Sequence, residues 1–297
     1  MAMHTGYHES AHMVIEAREM NDAHTRCVHQ GAWLGALVLL VAVAGCTAAP
    51  VLRVGSSGDY PPFSYADGDG ALDGFDVAAA RRFAEDFVHQ VELVPFAWPA
   101  LLDDLEAGKF DVVMSGVTLR ADRALHVAYS RPYAVTGAVV VVRRERAAEL
   151  HSLVAVDRAE VRLAVNRGGH LERVSRERFA HAQLVAVDDN TALVPLLLSG
   201  DVDAVVSEEF EARTWPQDRI VVLGPFTRDR KAYAVAPQHV ELLAAVNDWL
   251  AAREDDGWLA AQRSRWLGPG AAATAEQACF EAIGATIDMR LQLMPYV

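Results

Sequence analysis

From Val51 onward the chain alternates short apolar runs with stretches whose apolar positions recur every three or four residues. "VLRVGSS", "VELVPF" and "FDVVMSG" read as buried strands, and "FDVAAARRFAEDF" and "WPALLDDLEAG" between them as helices. That order is β-α-β-α-β, the pattern of a parallel-type α/β sheet covered by helices. "GAVVVVRR" (137–144) is a long buried strand and a natural crossing point, after which a second set follows: "VRLAVNRGG", "LERVSRERFA", "AQLVAVDDN", "TALVPLLLSG" and "VDAVVSE". "LEAGKFDVVMSG" (105–116) and "LLSGDVDAVVSE" (197–208) echo each other as helix end, Gly, Asp, apolar strand and small polar residue. The pattern predicts an α/β protein of two lobes with a cleft between them, lobe 1 over 51–143 and 232–269 and lobe 2 over 144–231. In open α/β sheets ligands lie beyond the carboxyl ends of the strands, where Ser115, Thr118, Asn166, Ser207 and Glu211 fall. "KAYAVAP" is a return strand, and the run from Val240 to Gly270 is a helical pair.

With 52% hydrophobic and 23% charged residues in 297, the chain has a core to bury and is not disordered. A formal net charge of −13 leaves no basic face for phosphates, so nucleic acid is excluded and a small ligand favoured. The three cysteines, Cys27, Cys46 and Cys279, lack the paired spacing of a disulfide framework or zinc site. Cys46 has another role. It ends "GAWLGALVLLVAVAGC", an apolar run too short for a comfortable membrane span and followed by small residues, as in an export signal over 1–46. "HESAH" (8–12) matches a zinc-protease spelling, but it precedes the export run and has no third ligand, so no metal is expected.

"VVSEEFEAR" (205–213) carries three carboxylates straight after an apolar run. A helix start accounts for two of them: Ser207 is a suitable N-cap, and Glu208 and Glu209 favour the positive end of the helix dipole. Glu211 lies beyond that benefit and calls for its own account.

"VAGC" resembles a bacterial lipobox, which implies lipidation at Cys46 and an extracytoplasmic, membrane-tethered location. "LRVGSSGDYPPFSY", "GFDVAAARRFA", "WPALLDDLEAGKFDVVMSGVTLRADRALHVAYSRPY", "VNRGG" and "RKAYAV" resemble the periplasmic solute-binding proteins for polar amino acids, and most closely their cyclohexadienyl dehydratase branch. The resemblance implies a two-lobed periplasmic-binding-protein type II fold. It implies that Arg123 clamps a ligand carboxylate, as its planar fork suits, with Ser115, Gly116 and Thr118 supplying polar contacts. The plain alternative for Arg123 is a salt bridge with Asp122 or Glu106.

Asp59 in "GDYPPFSY", Trp98 in "AWP" and Glu211 in "SEEFEAR" match the dehydratases, whose matching Glu is the general acid. The implied reaction removes the ring hydroxyl and ring carboxylate of prephenate or arogenate without a cofactor, and hydroxide needs a proton to leave. Glu211 must then hold its proton, which burial near Trp98 and Phe210 and the charges of Glu208 and Glu209 would favour. Lys231 either contacts the substrate or pairs with an acid at the cleft edge. The dehydratases carry Thr where this chain has His170, and Asp where it has Glu208; His170 reads as a solvated loop residue.

"IDMRLQLMPYV" within 271–297 resembles the opening of a helical chorismate mutase domain, Arg290 matching a substrate clamp. The resulting expectation is an exported enzyme whose partner is a small carboxylate. Its rival is an amino-acid-binding lipoprotein serving an ABC permease.

Overall fold

The computed structural model describes residues 50–87 and 90–268. The export run, Cys46, "HESAH" and the segment 271–297 lie outside the described residues. Among the described residues no helix is long and apolar enough to cross a membrane.

Two five-stranded sheets form the two lobes. In the first, β1 (Val51–Ser56) is an interior strand. The hairpin pieces β2 (Asp59–Tyr60), β3 (Ser64–Ala66) and β4 (Leu72–Asp73) follow it and form a small sheet of their own. Helix α1 (Phe75–Asp86) then leads to β5 (Gln90–Pro95), and α2 (Leu101–Glu106) to β6 (Val112–Val113). β5 and β6 flank β1 in parallel register, as the alternation predicts. α1 shows why: Phe75, Val77, Ala79, Ala80, Phe83 and Ala84 are buried against the sheet, a stripe at helical spacing.

After β7 (Ala128–Tyr129) the chain leaves through β8 (Ala134–Thr136) and enters β9 (Ala138–Arg143). α3 (Leu153–Val156), β10 (Arg162–Asn166), α4 (His170–Arg178), β11 (Gln183–Val187), α5 (Leu193–Ser199) and β12 (Ala204–Glu208) follow. A single-turn α6 (Glu209–Ala212) then leads to β13 (Ile220–Leu223). The second sheet runs β11-β10-β12-β9-β13, with β10 parallel to both neighbours and β9 antiparallel to both of its own. A boundary drawn after residue 143 therefore falls late, because β9 belongs to the second sheet.

The chain returns through β14 (Asp229–Lys231), which pairs with β8 as a two-stranded ribbon between the lobes, and through β15 (Ala234–Val235) beside β6. α7 (Val240–Asp255) and α8 (Trp258–Trp266) bury Trp249, Leu250 and Leu259 in the first lobe's core.

The echo between the halves has a physical basis. Gly108 and Gly200 follow α2 and α5 with φ of 67° and 87°, left-handed geometry that glycine adopts without strain. Three residues on, Asp111 and Asp203 each accept the backbone N–H of an arginine in a neighbouring strand, Arg53 within β1 or Arg162 at the start of β10, at 2.9 Å. Each guanidinium also donates to the preceding glycine carbonyl, at 2.7 Å to Gly108 and 2.8 Å to Gly200. One clip thus fastens helix end to a neighbouring strand in each lobe, just before β6 and β12 run toward the cleft.

Candidate functional site

Those strand ends border a small cavity between the lobes, the place where α/β folds of this kind take ligands. The first lobe contributes Tyr60, Trp98, Gly116, Thr118 and Arg123, the second Asn166, Gly169, His170, Leu171, Asn190 and Glu208, and the connecting ribbon Lys231. Gly116 is required where it stands: its φ is 63°, and a Cβ there would come within 2.6 Å of the Tyr60 ring.

Arg123 is 5% exposed, and its Nη1 is buried without a hydrogen-bond partner. Burial, with Arg120 nearby, pulls its pKa below the usual guanidinium value. The neighbouring acid is engaged elsewhere, since Asp122 takes Arg120 and Arg173. A desolvated guanidinium nitrogen on a cavity wall suits an anionic ligand. Asn166, at the end of β10, presents a second unpartnered donor in its Nδ2.

Lys231 and Glu208 are each 1% exposed and joined at 2.6 Å. Lys231 Nζ also donates to Thr118 Oγ1 at 2.8 Å and to the Tyr60 hydroxyl at 3.3 Å, and lies 5.3 Å from the Tyr60 ring centroid. Lys231 thus contacts the cavity and pairs with an acid at once. Glu208 ends β12 and is the N-cap residue of α6, but its side chain makes no cap bond and faces the cavity, with Oε2 unpartnered; contrary to expectation, Glu211 stands with Glu209 in the first turn of that helix. Nor does Ser207 cap the helix, because its Oγ turns to Glu211. The cause is common to both: α6 is a single turn, so tertiary contacts outweigh capping.

Glu211 is 2% exposed and stands behind the cavity wall. Its Oε1 accepts from Asn190 Nδ2 at 2.5 Å, and Ser207 Oγ lies 2.6 Å from Oε2. Burial pushes the carboxyl up to about 8; the Ser207 and Asn190 bonds oppose this, and Glu208 and Asp59 add to it. Glu209 is paired with Arg213. Asn190 lines the cavity and also donates to the Asp59 carbonyl at 2.9 Å, tying the lobes together beside the buried acid.

The other expected residues are placed differently. Ser115 is fully buried and tied to Ser57, its Oγ accepting Ser57 N–H at 2.9 Å, so it supports the turn instead of facing the ligand space. Asp59 holds the Trp98 indole N–H at 3.2 Å behind the wall, and burial raises its pKa. His170 is no solvated loop residue: it opens α4 on the cavity wall, with Nε2 2.9 Å from Asp229 Oδ1. Asn190 escaped the sequence reading, although it follows β11, and the strand-end rule that flagged Asn166 would have flagged it too. Among the described residues no group of His, Cys, Asp and Glu could hold a metal ion.

Residues 52–269 match the model of the bacterial extracellular solute-binding proteins, family 3. The chain belongs to that family. It is 31% identical over 222 residues to the cyclohexadienyl dehydratase of Pseudomonas aeruginosa, covering 73% of this chain and 82% of the relative. The L-cystine-binding protein TcyJ of Escherichia coli is 29% identical over the same shares. Among solved structures, the ancestral amino acid-binding protein AncCDT-1, described as a precursor of cyclohexadienyl dehydratase, superposes with a TM-score of 0.71 at 32% identity. It covers 73% of this chain and 95% of its own. An ancestral arginine-binding protein bound to glutamine gives 0.68 at 28%, covering 73% and 98%. As a family 3 protein the chain has the two-lobed α/β fold with its ligand cleft between lobes, and the family's location is extracytoplasmic.

Proposed function

We propose that this family 3 protein is an exported cyclohexadienyl dehydratase, anchored through Cys46, that acts on prephenate, arogenate or both. The observation that carries the reading is Glu211: a buried carboxyl with its pKa at about 8, one hydrogen bond from the cavity-lining Asn190. An ordinary glutamate, near 4.3, would be ionised at neutral pH and unable to serve as an acid. Glu211 keeps its proton there.

In the proposed reaction the unpaired Nη1 of Arg123 binds a substrate carboxylate, and the Lys231–Glu208 pair offers polar contact beside it. Glu211 turns from behind Asn190 and gives its proton to the ring hydroxyl. The C–O bond breaks and water leaves. The ring carboxylate departs as carbon dioxide, and the electron pair of its C–C bond completes the aromatic ring. Glu211 is left as a carboxylate and regains its proton from solvent. Aromatisation drives the step, so the protein supplies position and one proton.

A second reading, an amino-acid-binding protein for an ABC permease, is favoured by one feature: Glu208 and Arg123 lie on the cavity wall and Glu211 does not. The purified protein incubated with prephenate and followed for phenylpyruvate decides between them. Turnover that collapses in Glu211→Gln supports the dehydratase. No turnover, with thermal stabilisation by L-arginine or L-cystine, makes it a binding protein.

A further inference from the structure

Lys231 Nζ has three hydrogens to donate, and the protein accepts all three. Glu208 Oε1 lies at 2.6 Å, Thr118 Oγ1 at 2.8 Å and the Tyr60 hydroxyl at 3.3 Å. The rings of Tyr60 and Phe63 face the same nitrogen, with centroids 5.3 and 5.6 Å away, contacts that favour a cation. Buried to 1% exposure, Lys231 is part of the wall and has no hydrogen left for a ligand.

Its partners come from both sides of the cleft: Tyr60 and Thr118 from the first lobe, Glu208 from the second. A ligand ammonium held between the lobes would call for the same kinds of group, a carboxylate, hydroxyl oxygens and aromatic faces. The protein's own ammonium already fills that place.

The nearby carboxylates leave no second place of the kind. Glu208 is the one carboxylate among the described residues that line the cavity, and Lys231 cancels its charge. A ligand ammonium brought to its free Oε2 would meet Lys231 across a single carboxylate, and that repulsion offsets much of the attraction. A neutral donor such as a hydroxyl meets no such penalty. Asp229, on the ribbon, takes Thr227 Oγ1 on Oδ2 at 2.7 Å and faces His170 across 2.9 Å through Oδ1. Asp59 and Glu211 stand behind the wall, one on Trp98 and the other on Asn190 and Ser207. By contrast, two buried donors on the wall lack partners, Arg123 Nη1 from the first lobe and Asn166 Nδ2 from the second, and both call for an acceptor.

We propose that the Lys231–Glu208 pair makes this cavity choose a carboxylate without an ammonium group over the matching amino acid, so that prephenate, with its keto group, is the substrate and arogenate is disfavoured. The inference rests on the dehydratase reading for its ligands, and its test is binding.

Titration calorimetry on the Glu211→Gln protein, which does not consume its ligands, compares prephenate with arogenate. Prephenate is expected to bind about tenfold more tightly, because the ammonium of arogenate gives up water for a carboxylate already engaged by Lys231. Adding Lys231→Met opens Glu208 and turns the preference toward arogenate. That variant buries a lone carboxylate and is at risk of misfolding, so Lys231→Met is also combined with Glu208→Gln, which removes both charges together. In that protein the two ligands are expected to bind alike. A merely structural role for the pair would weaken both ligands together and leave their ratio unchanged.

Equal affinities in the Glu211→Gln protein, or tighter binding of arogenate, overturn the proposal, as does a preference for prephenate that survives removal of the pair. If neither ligand binds, the proposal falls. A parent that turns over neither ligand, with the preference intact in binding, would sink the dehydratase reading alone. Turnover of arogenate as readily as prephenate would sink this inference and leave the dehydratase standing.

Discussion

Each lobe buries one carboxyl group behind a strand end that borders the cleft. In the first lobe Asp76 is fully buried; it accepts the Gly116 N–H and the Tyr133 hydroxyl, the latter at 2.8 Å, and burial pushes it up to about 7. In the second lobe Glu211 sits between Ser207 and Asn190 at about 8. Desolvation is the leading cause in both, so a raised pKa alone does not distinguish an acid catalyst from a structural carboxyl. What differs is the way out. Each bonds one cavity-lining residue, but Asp76 does so through the backbone N–H of Gly116, whereas Glu211 does so through the side chain of Asn190, which can swing aside as backbone cannot.

The sharpest way to break that comparison is to neutralise each carboxyl in turn. Glu211→Gln is expected to lower kcat by about 10²–10⁴-fold, the range of a lost general acid, while Asp76→Asn leaves the rate close to the parent's. Equal losses in the two variants would mean that neither carboxyl delivers the proton.

A smaller effect belongs to the gate. The Asn190 bond pulls the Glu211 pKa down, so Asn190→Leu is expected to move the alkaline limb of the kcat profile above its parent position near 8. It leaves a buried acceptor with one bond fewer, at a cost of about 1–3 kcal/mol in stability. An unmoved limb would show that Asn190 does not govern the acid.

The smallest effect is on stability against pH. Glu211 has an ordinary value of 4.5 and a folded value of about 8, so its contribution is full below about 4.5. Between those limits the folded chain holds a proton that the unfolded chain releases, and stability falls as pH rises through about 8. Glu211→Gln removes this dependence. Its melting temperature should match the parent's near pH 4 and exceed it by roughly a few degrees near pH 9. Asp76→Asn should show the same trend at lower pH, because its limits are 3.8 and about 7.

Much of the fold was legible because apolar periodicity reports local structure and burial together. The strand runs, α1 and the helical pair at the end stand where that periodicity places them. The site was legible in part. Arg123, Thr118, Asn166, Trp98 and Lys231 do meet at the cavity, while Ser115 and Asp59 turn to supporting bonds behind it. A polar residue at a strand end can face either way, and the spacing does not say which.

The sequence by itself determined the two-lobed α/β plan, the repeated Gly-Asp pattern and the class of ligand that its charge allows. Tertiary structure alone decided what each charged group meets. Glu208 and Lys231 are 23 residues apart and form a buried pair, His170 and Asp229 meet across the ribbon, and Asn190 joins Asp59 to Glu211. The physical reason is that periodicity encodes which face of an element is dry. The ionisation of a buried group depends on the few atoms within hydrogen-bond reach, and those come from distant parts of the chain.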